Sequence, residues 1–187
     1  MRILAIVGSP RPKGNTNYLV DQVLEEAAGI GADTEKIVLS QYEVNLCLGC
    51  DECASLESCV QKDDGGWILD RFREADGVIL ATPVYYYNVS TQMKAFIDRN
   101  YFIYRHNQKY AAGAVGIVVV AEQIGIEDTL HTLRQFADEF GVKENGVFTV
   151  TGYASKTDDA RKDLRLAEQA RELGRRMARY LGGQGSQ

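Results

Sequence analysis

Histidine is nearly missing from this chain of 187 residues: there are two, His106 and His131, far apart and without partners recognisable from their spacing. Lone histidines on helices or loops are usually polar surface or packing groups, so neither carries a catalytic expectation. Positive charge is short as well. Lys and Arg number 21 against 26 Asp and Glu, a formal net charge of -5, which leaves no basic stripe for nucleic acid. Long apolar runs are absent too. "AAGAVGIVVVA" at 111–121 falls well short of a membrane span, and the start "MRILAIVG" has neither the apolar region nor the cleavage site of a signal peptide. The expectation is a cytoplasmic protein with no nucleic-acid or membrane partner. Cysteine is absent everywhere except in "CLGCDECASLESC", residues 47–59, which holds all four. In a reducing compartment, thiols crowded at such spacing point to ligands or redox groups more than to structural disulfides.

What is present is an alternation. "RILAIVG" (2–8) is a short apolar run ended by glycine; a polar loop and the helically spaced "TNYLVDQVLEEAAGIG" follow. Strands are expected near 34–39, 77–82, 114–121 and 146–150, and helices near 67–75, 90–99, 127–140 and 157–181. Five strands alternating with helices make an open, mostly parallel sheet covered on both faces. The expected organisation is a single domain over 1–181, with "GGQGSQ" (182–187) as a flexible tail. Such sheets bind ligands outside the carboxyl ends of the strands, where the strand order reverses. The loops after strands one, three and four are therefore the ones to read.

The first, "GSPRPKGNT" (8–16), offers hydroxyl and amide groups at Ser9, Asn15 and Thr16 and positive charge at Arg11 and Lys13, just before a helix N-terminus. A phosphate fits there. It is neither a Walker A loop, because the lysine precedes the glycine, nor the dinucleotide G-x-G-x-x-G. Read blandly, the same residues make a turn and an N-cap. The second, "TPVYYYNVSTQMKAFIDR" (82–99), leads from a buried strand into three consecutive tyrosines. An extended run alternates faces, so at least one of Tyr85, Tyr86 and Tyr87 should be exposed. With Pro83 they offer a flat, partly apolar wall for an aromatic ring, and the backbone near Asn88 can bond a polar ring edge. The later aromatic run "RNYFIYRHNQKY" (99–110) suits either a ligand wall or a subunit interface.

These three stretches, in this order and together with "DD" at 63–64, resemble the flavodoxin-like NAD(P)H-dependent FMN reductases, and among them the iron–sulfur flavoproteins. The resemblance covers most of residues 1–125. It implies a flavodoxin-like, doubly wound five-stranded parallel sheet of order 2-1-3-4-5 with FMN at its switch point. It places Ser9, Arg11, Lys13, Asn15 and Thr16 at the FMN phosphate, and Pro83, Val84, Tyr85, Tyr86 and Asn88 along the flavin ring. Glu122 and Gly125, in "AEQIGIED" (121–128), take the third flavin-facing position. Homodimers or homotetramers with the flavin near a subunit boundary are the family habit.

Cys47, Cys50, Cys53 and Cys59 are spaced C-x2-C-x2-C-x5-C. Three thiols two residues apart, with a fourth arriving soon after, can wrap a [4Fe–4S] cubane, and this motif marks the iron–sulfur flavoproteins. Zinc held by four thiolates of one short segment, and thiols that hold no metal, remain open alternatives. Asp51, Glu52 and Glu57 add negative charge that a cluster does not favour. The functional expectation is an oxidoreductase in which FMN takes electrons from NAD(P)H or another carrier and delivers them to a quinone, a flavin or a small acceptor. The alternatives are an electron carrier exchanging with ferredoxin-type partners, and a flavin-free interaction module.

Overall fold

A computed structural model describes residues 1–184. Five strands, β1 (Arg2–Val7), β2 (Asp33–Val38), β3 (Gly77–Pro83), β4 (Ala114–Ala121) and β5 (Val147–Tyr153), pair in parallel in the order β2-β1-β3-β4-β5. Seven helices join them: α1 (Asn15–Gly29), α2 (Gly65–Arg73), α3 (Thr91–Arg99), α4 (Tyr101–Arg105), α5 (Ile126–Asp138), α6 (Asp159–Lys162) and α7 (Leu164–Gln184). This is the flavodoxin-like arrangement. No helix among the described residues is long and apolar enough to cross a membrane.

The strand sequences follow from burial on both faces. Ile3, Leu4, Ala5, Ile6 and Val7 are all fully buried, so β1 reads as a continuous apolar run rather than an alternation. Successive residues nevertheless serve opposite faces. Leu4 and Ile6 join one core with Ile68, Phe72, Phe96 and Phe136, while Ile3, Ala5 and Val7 join the other with Leu19, Val23, Leu173 and Met177. In the first core Phe72 meets Phe96 edge-on at 4.9 Å and Phe140 at 5.5 Å. Truncating so central a ring to alanine costs about 3–5 kcal/mol. In the second, a Cβ on Gly174 of α7 would lie 2.1 Å from the Val23 carbonyl of α1. The two helices touch backbone to backbone, which only glycine permits.

Three local differences from the sequence pattern have physical causes. The single helix expected over 157–181 is divided: Asp163 is extended (φ -84, ψ 90), and its carboxylate accepts from the Leu166 N–H at 2.9 Å, capping a new helix. That helix continues to Gln184, so residues 182–184 of the expected tail are helical, while 185–187 lie outside the described residues. Lastly, the tyrosine stretch is a tight turn and not an extended run. Tyr85 and Asn88 exchange backbone hydrogen bonds of 2.8 and 3.2 Å around Tyr86 (φ 49) and Tyr87 (φ 69). Two consecutive positive φ values mark a type I′ hairpin, and all three tyrosines are thereby turned out, Tyr86 to 97% exposure.

Candidate functional site

The order β2-β1-β3 sends the chain in opposite directions from β1, and a crevice opens between the loops that follow β1 and β3. It is a cleft of about 420 Å³, within the range of ligand pockets. Of the residues expected there, Ser9, Arg11, Asn15, Thr16, Pro83, Val84, Tyr85, Tyr86 and Glu122 line it. Lys13, Asn88 and Gly125 do not. Lys13 is exposed outside the cleft, and the Asn88 carboxamide turns back to accept from the Val89 N–H at 2.8 Å.

Gly125 acts at one remove. Its φ is +92, and a Cβ there would come within 2.8 Å of Val84 and 2.9 Å of the Tyr87 Cα. The glycine thus lets the β4–α5 loop seat the tyrosine turn against the cleft wall. Gly8 does the same for the first loop: a Cβ would meet the Ser90 Oγ at 2.6 Å. That hydroxyl donates to the Gly8 carbonyl at 2.6 Å and accepts from the Met93 N–H, capping α3 and tying the β1 loop to it. Thr82 Oγ1 in turn accepts from the Ser90 N–H at 3.0 Å. Both walls of the cleft are therefore fixed by one buried hydroxyl chain, Thr82–Ser90–Gly8.

The floor of the first loop suits an anion. α1 begins at Asn15, after Gly14 in the capping position, with no side-chain cap and no acidic residue in its first turn, so its positive end is uncompensated. Arg11 stands beside it, and the buried Asn17 donates to the Arg11 carbonyl at 3.0 Å to hold the loop's shape. Asn15 is occupied otherwise than its sequence position suggests. Its amide donates to the Lys156 carbonyl at 2.7 Å and its oxygen accepts from the Ala160 N–H at 3.1 Å. The side chain thereby pins the β5–α6 loop, whose Ala154, Ser155 and Thr157 close the far side of the cleft. Sequence reading missed these three: "YASKTDD" carries turn chemistry and nothing more specific.

The four cysteines form a separate centre. All line one pocket together with Arg99, Tyr101 and Phe102. Cys53 is buried, Cys59 half-buried, and Cys47 and Cys50 are exposed. Burial, then the Asp51 carboxylate and the neighbouring thiols, push the Cys53 thiol up. Among the described residues no three His, Cys, Asp or Glu side chains converge as a single metal ion requires. The four thiols are an all-sulfur set facing one pocket, the donor type by which iron–sulfur clusters are held. Arg99, with a side chain 2% exposed, lies against this pocket and forks onto the buried Asp63 at 2.6 and 3.0 Å. Burial opposes the Asp63 charge, but the Arg99 bonds and the Asn45 and Gly65 N–H groups outweigh it and hold the carboxyl below its ordinary value.

Comparison with known proteins agrees with this geometry. Residues 1–155 match the family of NADPH-dependent FMN reductases. An iron–sulfur flavoprotein of Methanocaldococcus jannaschii is 34% identical over 190 residues, 97% of each chain. Another from Archaeoglobus fulgidus is 40% identical over 125 residues, spanning 67% of this chain and 56% of its own length. Among solved structures, RosB with a bound 8-demethyl-8-formylriboflavin-5'-phosphate intermediate superposes with a TM-score of 0.78 at 15% identity, covering 100% of this chain and 81% of that one. The last likeness speaks for the fold and the first three for descent: the chain belongs to the NADPH-dependent FMN reductase family, as a flavin oxidoreductase similar to its iron–sulfur flavoproteins.

Proposed function

We propose that the cleft takes FMN with its phosphate at the start of α1, that the four cysteines hold a [4Fe–4S] cluster, and that the protein moves electrons from a reduced nicotinamide to a quinone, flavin or other small acceptor. The observation that carries the reading is the uncapped, acid-free N-terminus of α1 opening into a cleft walled by Pro83, Val84 and Tyr85. The neighbour RosB, of the same fold, carries a flavin 5'-phosphate derivative, a ligand of the same chemical class. When bound, FMN supplies hydride and single-electron chemistry, and a cluster supplies single-electron chemistry alone.

The chain's own residues have the remaining tasks. Ser9, Arg11, Thr16 and the first N–H groups of α1 bind the dianion. Pro83, Val84 and Tyr85 present one flat apolar side to a ring and keep water from it, while Ala154–Thr157 bound the opposite rim. Glu122 sets negative charge at the open mouth. No Ser-His-Asp constellation is present in the cleft lining, so orientation and electrostatics are what the protein adds.

The test is the absorbance spectrum and iron content of anaerobically prepared protein, followed by NADH and NADPH oxidation with a quinone acceptor. Flavin bands with a broad iron–sulfur shoulder and turnover with one nicotinamide are expected. Flavin bands without iron would remove the cluster. Absence of turnover with both nicotinamides would leave electron exchange with a ferredoxin-type partner as the better account.

A further inference from the structure

The loop that carries the thiols is held by means the fold does not itself provide. From Val44 to Asp64 its only regular element is the three-residue turn Glu52–Ala54; within the segment Asp63 accepts from the Asn45 N–H at 2.8 Å and Gln61 donates to the Leu46 carbonyl at 2.7 Å, and the other side chains that hold it come from outside. Most come from one place, the last residue of α3 and the short α4 behind it. Arg99 Nη1 donates to the Asn45 carbonyl at 3.1 Å, and the guanidinium forks onto Asp63. The Tyr101 hydroxyl donates to Asp51 at 2.9 Å, and Arg105 pairs with the same carboxylate at 3.2 Å. His106 places Nε2 2.9 Å from the Leu56 carbonyl, with Nδ1 2.9 Å from the Phe102 carbonyl.

The grip points interleave with the thiols. Asn45 precedes Cys47, Asp51 lies between Cys50 and Cys53, Leu56 lies between Cys53 and Cys59, and Asp63 follows Cys59. Division of labour on α4 makes the pattern more than incidental packing. Ile103 is 2% exposed and serves the core, whereas Tyr101 and Arg105 are exposed and His106 half-buried on the side that meets the loop. The bonds of Tyr101, Arg105 and His106 lie at the surface and are individually weak, but together with the buried Arg99 they direct four side chains at one irregular segment and remove most of its freedom, and freedom lost beforehand need not be lost when a ligand arrives.

We propose that the end of α3 and α4 form a template that holds the cysteine loop in its ligand-binding shape before any metal enters, with Arg99, Tyr101, Arg105 and His106 as its positioning residues. This rests on the reading of the four thiols as a cluster site. None of the four need touch the cluster; each acts through the backbone or carboxylate it grips.

The experiment uses the full chain loaded with FMN. Because Arg99 is buried and its replacement endangers folding, the informative variants are His106→Ala, His106→Gln and the Tyr101→Phe, Arg105→Gln double. Without metal, alkylation of Cys53 by iodoacetamide, followed by mass spectrometry, should quicken about tenfold in His106→Ala and in the double as the loop opens locally, with flavin affinity unchanged. His106→Gln, which keeps an amide donor for the Leu56 carbonyl, should restore most of the protection. During reconstitution at limiting iron and sulfide, the unprotected variants should incorporate about half the wild-type iron or less. Alkylation rates equal to wild type in all variants would overturn the template, as would variant iron uptake equal to that of a wild type that does take up iron. Wild-type protein that takes up no iron, beside variants that still expose Cys53, would overturn the cluster reading while supporting the template as a holder of thiols.

Discussion

The cleft proposed for FMN and the cysteine pocket are built by opposite means. The cleft is made at strand ends, where the register of β1, β3 and β4 fixes the backbone and glycines such as Gly8 and Gly125 allow one loop to press on another. The cysteine pocket has almost no regular structure and is shaped by polar side chains reaching across from α3 and α4. A backbone-built site inherits the stability of the sheet and changes little from one local substitution to the next. A site built by side chains is only as firm as a few hydrogen bonds, and it opens locally at a fraction of the global unfolding free energy. A cofactor held largely by main-chain groups suits the first, and a cluster assembled onto the folded chain suits the second.

The largest expected effect comes from Arg99→Gln. It leaves the Asp63 carboxylate, fully buried, without its partner, which costs about 3–5 kcal/mol. In urea denaturation the midpoint should drop accordingly, and limited proteolysis should cut within 45–63 first. If the surviving folded fraction also loses flavin affinity, the two regions are not held independently. Next comes Gly8→Ala, whose Cβ would sit 2.6 Å from the Ser90 Oγ and 2.8 Å from the Met93 Cβ; overpacking of this kind costs about 1–3 kcal/mol. Titration with FMN should show a weaker complex, and alkylation of Cys53 should stay at the wild-type rate. Asn15→Ala removes the two bonds to Lys156 and Ala160, a loss of about 1–2 kcal/mol. Flavin dissociation should quicken as the 154–157 rim loosens, again with no change at the thiols.

Acid gives the mildest perturbation and acts on the cysteine region through Asp63. The folded Asp63 carboxyl titrates below its unfolded value, so the stability from its ion pair is complete above the ordinary aspartate value of about 3.9 and is lost as pH falls through the lower folded value. Thermal melts between neutral and acid pH should show this loss in wild type. In a doubly neutral Asp63→Asn, Arg99→Gln protein that part of the pH dependence should vanish, whereas an unchanged profile would assign the acid sensitivity to other carboxylates.

The contrast also explains what could be read from the sequence. Alternating apolar runs and helical spacings gave the strands, their parallel pairing and the loops worth reading, because those signals are local. Ser9, Arg11, Thr16 and Pro83 were placed beside one another for the same reason: Ser9 and Arg11 lie in the loop after β1, Thr16 is in the first turn of α1, and Pro83 ends β3. Asn15 misled in part, since nothing in "KGNT" shows that its amide is taken by Lys156 and Ala160, far along the chain. The grip on the thiols was illegible. Asp63 and Arg99 are 36 positions apart and His106 and Leu56 are 50, and no spacing rule connects a lone histidine to a carbonyl in a distant loop. The tyrosine turn was missed because two-residue hairpins of positive φ ordinarily announce themselves with Asn-Gly or Asp-Gly.

That turn has a consequence for the stability of the chain. Left-handed backbone costs a residue with a side chain about 1–2 kcal/mol, and Tyr86 and Tyr87 both adopt it. An Asn-Gly pair would relieve most of this, and the bonds between Tyr85 and Asn88 would survive. The protein forgoes that thermal headroom and keeps two phenol rings in solvent at the mouth of its cleft. What it holds there is aromatic surface, and a melting temperature that rises when the surface is removed would measure how much stability the surface displaces.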